Sequence, residues 1–380
     1  MQVRTLGVEE ELLVVDPQTR SVTSRAREVL RAFATQHGGD GEGLDQELFR
    51  HQLETRTEPT RDVDDLVRQA VAAREEAVAA AAVRGLGVAA SATIPVGVDE
   101  PLVSPDDRYR DMLQTYGAVA RLATTCGMHV HVGIESPEEG VGCLDRIAPW
   151  LPVLLAASAN SPFAGGADTG YASWRTVQWS TWPSAGPTER FGSVSGYWRA
   201  CERMLASGAA RDPAMLYFDA RLSDHQPTLE VRILDVVTDP EDVGLLAALV
   251  RALVETAVEQ WVAGAEPVPW RAEELRAARW RASRYGLAGD LLDPRDHELR
   301  PAREVLGALV ELVGHRLEAA GDRERAAAGV ERVLRRTGAT HQRAAYERTG
   351  SVEGVVDDLL HRTVDRPDAV QASPRAADRA

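Results

Sequence analysis

The 380-residue sequence contains no lysine, so all 43 of its basic residues are arginine. A GxxxxGK[ST] phosphate loop, a Schiff base, a pyridoxal phosphate anchor and a carboxylated-lysine metal bridge each need an ε-amine, and all are excluded. Any phosphate handled here is held by arginine, a metal ion or backbone N–H groups. Asparagine is almost missing, with Asn160 the single one, and isoleucine is sparse, while alanine, arginine, glycine and valine abound, as in a GC-rich genome. The three cysteines, Cys126, Cys143 and Cys201, form no CxxC pair. They read as reduced thiols in a cytoplasmic protein rather than as a disulfide framework. Positive charge is also scarce: the formal net charge is −15, which argues against nucleic acid or an anionic membrane as partner. Small-molecule substrates are expected instead, with a homodimer as the default assembly. The longest uncharged apolar run, 147–159, contains Pro149 and Pro152 and is too short to span a bilayer. Met1–Arg4 leads into an apparent strand with no charged-then-apolar signal segment.

Hydrophobic residues make up 44% of the chain, enough for a sizeable core. No internal repeat or linker divides it. Residues 1–364 are expected to form one α+β domain, and 365–380, rich in proline, alanine and charge, a disordered tail. Strands are expected at 6–15, 47–57, 86–92 and 128–134, with a hairpin from 215–222 and 228–236. Helices are expected at 60–84, capped by Thr60 or Asp62 and stopped at Gly85, at 107–123, twice between 137 and 159, and over most of 240–363. The Gly-, Ser- and Trp-rich segment 160–192 reads as a long loop, its 174–182 part suited to be a lid. Strands crowd the first two-thirds without βαβ alternation. That favours an antiparallel or mixed sheet with helices packed against it.

Four segments carry chemistry. In Gly7-Val8-Glu9-Glu10-Glu11-Leu12, strand geometry puts Glu9 and Glu11 on one face and Glu10 on the other. Two carboxylates about 4 Å apart repel by about 4 kcal/mol at an effective dielectric of about 20, so a cation between them is the economical remedy, and magnesium takes such hard oxygen ligands. The alternative is an exposed edge strand with solvated acids. In Glu47–Glu58, one face offers Gln52, Glu54, Arg56 and Glu58, either as ligands or as a solvated face. In Gly127-Met128-His129-Val130-His131-Val132-Gly133 both histidines share a face opposite aliphatics, a spacing that suits metal binding. In Thr228-Leu229-Glu230-Val231-Arg232, a carboxylate beside a guanidinium suits either a metal–phosphate site or a cross-strand ion pair.

These segments together resemble the carboxylate–amine ligases of the glutamate–cysteine ligase type 2 family. The matching stretches are Thr5–Glu11, Leu53–Thr57, Gly127–Gly133 and Leu229–Arg232, with Ala172-Ser173-Trp174-Arg175, Gly186-Pro187 and Ser283-Arg284-Tyr285-Gly286-Leu287 as further landmarks. The resemblance implies a glutamine-synthetase-like fold, an antiparallel sheet forming a funnel that holds ATP and two or three Mg2+ ions. It also implies the reaction. ATP phosphorylates the γ-carboxylate of glutamate, and the amine of cysteine displaces phosphate to give γ-glutamylcysteine. On this resemblance Glu9, Glu11, Glu54 and Glu230 are metal ligands, with Glu47 a further candidate. His129 or His131 stands near metal or nucleotide. Arg232 and Arg175 hold phosphate or substrate carboxylate, and Arg284 contacts the nucleotide. Glu10 stands where relatives can carry an apolar residue, and it needs an unnamed partner if it faces helices. Two rival readings remain: a zinc-dependent amidohydrolase, because an HxH strand occurs there too, and a non-catalytic nucleotide- or amino-acid-binding homologue.

Overall fold

The structure, a computed structural model, describes residues 2–38, 43–97, 102–104, 106–122 and 124–364. The expected tail therefore lies outside the described residues, as does Ala123, the expected end of the 107–123 helix.

The strands are β1 (Leu6–Val15), β2 (Leu44–Gln46), β3 (Gln52–Arg56), β4 (Gly87–Ala89), β5 (Gly127–Gly133), the small hairpin β6 (Phe163–Ala164) and β7 (Ala167–Asp168), β8 (Ala220–Leu222), β9 (Thr228–Asp235), and a second small pair, β10 (Asp290–Leu292) and β11 (Leu299–Pro301). Seven of them make one antiparallel sheet in the order β2-β3-β1-β5-β9-β8, with β4 also pairing with β1. The helices are α1 (Ala26–Gln36), α2 (Val63–Ala82), α3 (Asp107–Tyr116), α4 (Ala118–Leu122), α5 (Pro137–Ile147), α6 (Leu151–Ser158), α7 (Trp174–Trp179), α8 (Val194–Ala206), α9 (Pro240–Val262), α10 (Ala272–Tyr285), α11 (Ala302–Ala320), α12 (Arg323–Arg335), α13 (Gly338–Thr349) and α14 (Val352–Arg362).

Period-two alternation gives the sheet two unlike faces. Leu6, Val8, Met128, Val130, Val132, Leu229, Val231 and Ile233 are all buried, and α2, α5, α6 and α9 pack against the sheet. Glu9, Glu11, His129, His131, Glu230 and Arg232 lie on the other face, whereas Glu10 is buried on the helix side. Helix α9 is buried along most of its length, in keeping with its largely aliphatic sequence, in which Arg251 and Glu255 are the buried charges of the middle turns. The stretch Pro137–Ser158 is long and apolar enough to cross a membrane, with mean hydropathy 1.3, but 89% of it is buried inside the molecule.

Several boundaries differ from expectation. The polar strand is β3 alone, and Glu47 sits in the connection from β2 rather than on it. The expected strand 86–92 pairs only over Gly87–Ala89. Gly117, at φ +57°, breaks the expected helix from 107 into α3 and α4. Asp62 is the cap of α2, accepting from the Asp64 and Asp65 N–H groups. The segment 160–192 contains the β6–β7 hairpin and α7, and Trp182 within it is fully buried.

Candidate active site

Strand register assembles the site. On the polar face, Glu11 lies opposite Glu54, Glu9 opposite His129 on one side and Arg56 on the other, His131 opposite Glu230, and Glu230 opposite Arg221. Cross-strand neighbours of this kind stand within side-chain reach. Glu9, Glu11, Glu47, Glu54, His129, His131, Glu230 and Arg232 consequently line one cavity of about 380 Å3. Its far wall is aromatic: Tyr109 from α3, Trp179 from α7, and Trp182 and Tyr217. Trp179 and Tyr217 pack with ring centroids 4.6 Å apart, and Trp182 and Tyr217 at 5.4 Å.

Two clusters of possible ligand atoms form, Glu9–His131–Glu230 and Glu11–Glu47–Glu54, the atoms in each within 4.8 Å of one another. In the first, His131 Nε2 lies 3.6 Å from Glu9 Oε1 and 4.0 Å from Glu230 Oε1, while its Nδ1 is 2.9 Å from Thr228 Oγ1. His129 sits beneath it with Nδ1 3.2 Å from Glu9 Oε2. In the second, the Gly127 N–H donates to Glu11 Oε2 at 2.6 Å.

The two halves differ in charge balance. Burial alone raises a carboxyl pKa. At Glu9, hydrogen bonds from His129 and His131 outweigh burial and hold the carboxyl well below its usual range. At Glu230, Arg232 and Arg221 do the same. Glu11 has the opposite fate: burial, reinforced by Glu47, pushes it up to about 7 against the pull of Arg175. Burial and the charges of Glu47, Glu9 and Glu11 push Glu54 well above its usual range. His129 falls to about 4 through burial and the charge of Arg232, which keeps its ring neutral near pH 7. The carboxylates of the second cluster thus lack enough cationic partners of their own. A divalent cation is what that donor set fits, and three carboxylates without imidazole suit hard Mg2+ better than zinc.

Two expected residues do not line the cavity. Arg175 is buried beside β5 and β9, where its guanidinium donates to the carbonyls of Ile233 and Arg232 at 3.2 and 3.3 Å. Its charge reaches Glu11 and Asp235, not open solvent. Arg284 is further off: it donates to the Gly170 carbonyl and stacks on Tyr171 and Tyr285, held there by its place on the last turn of α10. The nucleotide contact expected of it does not fit that place. Sequence reasoning missed Arg221, which bonds Glu230, and the aromatic wall. The hairpin register gave a signal for Arg221, since pairing 222 with 229 places 221 opposite 230.

This fold and this acid-lined cavity define a carboxylate–amine ligase when set beside known proteins. A sequence profile of glutamate–cysteine ligase family 2 matches residues 5–361, and the chain belongs to that family. A protein of Nocardioides sp. provisionally named glutamate–cysteine ligase 2-1 is 57% identical over 368 residues, covering 95% of this chain and 96% of its own. A Streptomyces coelicolor protein provisionally named glutamate–cysteine ligase 2 is 46% identical, with 95% and 99% covered. Among solved structures, a bifunctional glutathione synthetase from Pasteurella multocida superposes with TM-score 0.69 at 15% identity, over 95% of this chain and 52% of that longer one. A Francisella tularensis glutamate–cysteine ligase, solved in complex with AMP, gives 0.63 at 12% identity, over 96% and 90%. The fold is thus the expected glutamine-synthetase-like α+β fold, and the chain is an enzyme forming a C–N bond. Membership in a ligase family gives the hydrolase reading no support.

Proposed function

We propose that this protein is an ATP-dependent glutamate–cysteine ligase that works through a γ-glutamyl phosphate. The observation that supports the reading most is the convergence of Glu9, Glu11, Glu47, Glu54 and Glu230 on one cavity with Arg232 among them. Those glutamates, with His131, are the residues that would hold Mg2+, and a bound ion supplies charge neutralisation for phosphoryl transfer. Arg232 is placed to fork onto phosphate oxygens. Neutral His129 orients Glu9 without adding charge. Arg175 acts from beneath the cavity, on the same face of β5 as His129, fixing the β9 backbone at Arg232 and Ile233 and lending positive charge to Glu11. The aromatic wall of Tyr109, Trp179, Trp182 and Tyr217 excludes water that hydrolyses an acyl phosphate. Glutamate as donor, cysteine as acceptor, a cytoplasmic location and a homodimer belong to the same proposal.

The test is ADP release with Mg2+, ATP and pairs of amino acids, with the product identified by mass. Glutamate with cysteine is expected to give γ-glutamylcysteine, ADP and phosphate in equal amounts. Glu54→Gln abolishes that turnover while circular dichroism stays native. Undiminished turnover in Glu54→Gln, or product formed without ATP, counts against the reading.

A further inference from the structure

Glu230 is gripped by two guanidinium groups whose surroundings differ. Arg221 Nε donates to Glu230 Oε2 at 2.7 Å. Its Nη1 also donates to the carbonyls of Pro213, Ala214 and Leu216, at 3.2, 3.0 and 3.3 Å. That turn is itself tied down, because Asp212 accepts from the Met215 N–H at 3.1 Å and pairs with Arg108 at 2.8 Å. Arg221 is thus tied to three backbone carbonyls of one turn as well as to Glu230, and moving it away breaks all four bonds.

Arg232 has no such anchors. It bonds Glu230 Oε1, makes a 3.4 Å contact with His129 Nδ1, an atom already facing Glu9, and has a buried Nε with no hydrogen-bond partner. The division runs oxygen by oxygen. Oε2 belongs to Arg221. Oε1, which Arg232 occupies, is the oxygen nearest the ring nitrogens of His129 and His131, at 3.8 and 4.0 Å.

We propose that the two arginines have opposite duties: Arg221 is a positioning residue that keeps Glu230 aimed into the cavity through Oε2, and Arg232 is an exchangeable placeholder that yields Oε1 to a divalent cation and turns to phosphate. This rests on the metal-and-nucleotide reading above. An arginine that gives up one carboxylate and gains a phosphate loses no net partner, whereas an arginine with four acceptors stays. The cation and the Arg232 guanidinium therefore compete for one oxygen, while the cation and Arg221 do not.

The experiment titrates Mn2+ into full-length protein without nucleotide and reads free Mn2+ by electron paramagnetic resonance, so no turnover is needed. Arg232→Gln removes the competitor, and Mn2+ binding is expected to tighten several-fold, while ADP binding to the Mn2+-loaded variant weakens. Arg221→Lys keeps the charge but loses the fixed fork, and Mn2+ binding is expected to weaken roughly tenfold, the range seen for groups that orient a ligand. Weaker Mn2+ binding in Arg232→Gln overturns the proposal by itself, even if Arg221→Lys does not fold. So does a folded Arg221→Lys with wild-type affinity. Wild-type protein that takes up no Mn2+ overturns the metal reading, and this inference with it. Normal Mn2+ uptake with changes of the wrong sign overturns only the division between the arginines.

Discussion

Glu10 shows what a single misplaced-looking residue requires. It lies between Glu9 and Glu11 but points to the helix-covered face, where it is 2% exposed. Arg74 of α2, wholly buried, meets it with Nε 3.0 Å from Glu10 Oε2. Its Nη2 donates to Glu10 Oε1 at 2.5 Å, and its other donors reach the carbonyls of Val237, Thr238 and Thr363, at 2.7, 2.7 and 3.1 Å. The sequence made the need for a partner legible but not its identity, because Arg74 is one of many arginines on an alanine-rich helix. Removing one member leaves a buried charge uncompensated, whereas replacing both by apolar groups removes the demand. Arg74→Met is therefore expected to cost about 3–5 kcal/mol in urea unfolding. The double variant Glu10→Leu/Arg74→Met is expected to cost less, the remainder being the Val237, Thr238 and Thr363 carbonyls left without their donor. A double variant as unstable as the single one would refute the pairing as the source of the loss.

At the scale of elements, register decides most of the site. Alternation in β1, β5 and β9 made their two faces legible, and with them Glu9, Glu11, His129, His131, Glu230 and Arg232. Glu47, a further metal candidate on the resemblance, is expected on the 47–57 strand, but its backbone lies in a connection without alternation. Arg175 lies beneath the cavity rather than in its lining, and nothing local reveals that its guanidinium packs flat against β5 at residue 127. It can do so because residue 127 is glycine. A Cβ there would lie 2.3 Å from Arg175 Nη2, and Arg175 has no free space to retreat into while bonded to two carbonyls. Gly127→Ala is expected to displace that guanidinium, costing about 1–3 kcal/mol of stability by overpacking. Turnover is expected to fall more steeply than that stability loss alone explains. Combining it with Arg175→Ala should relieve the strain, so the two stability losses add to less than their sum while activity stays low. Additive losses would show that the two residues do not meet.

For the whole molecule, the unlike faces of one sheet explain how a chain with net charge −15 buries so many acids: helices seal one side, and the other collects carboxylates around a cavity. Fold class was legible from the strand distribution, but the aromatic wall was not, because it gathers residues from α3, α7 and the turn before β8. Buried histidines add a pH dependence. His51 is fully buried, both ring nitrogens lack hydrogen-bond partners, and burial lowers its pKa to about 4. A histidine whose folded value is depressed takes up its proton more readily in the unfolded chain. Its contribution is therefore lost as pH falls from about 6.5 toward about 4. The whole effect is on the order of 3 kcal/mol. Carboxyls raised by burial, such as Asp242 at about 6, act in the opposite sense, so the comparison is with a variant rather than with zero. His51→Phe is expected to gain on the wild type by that amount between pH 7 and pH 4 in urea unfolding. A stability difference that does not change with pH would contradict it.

The link between Arg74 and Thr363 has a bearing on how the chain is made. Synthesis proceeds from the amino end, so β1 emerges long before the carbonyl of residue 363. Until then the carboxylate of Glu10 and its guanidinium partner have only part of their hydrogen-bond set, and α14 is not yet in place behind β4. A chain cut just before α14 should thus weaken the very strand that carries Glu9 and Glu11, far upstream of the cut in sequence.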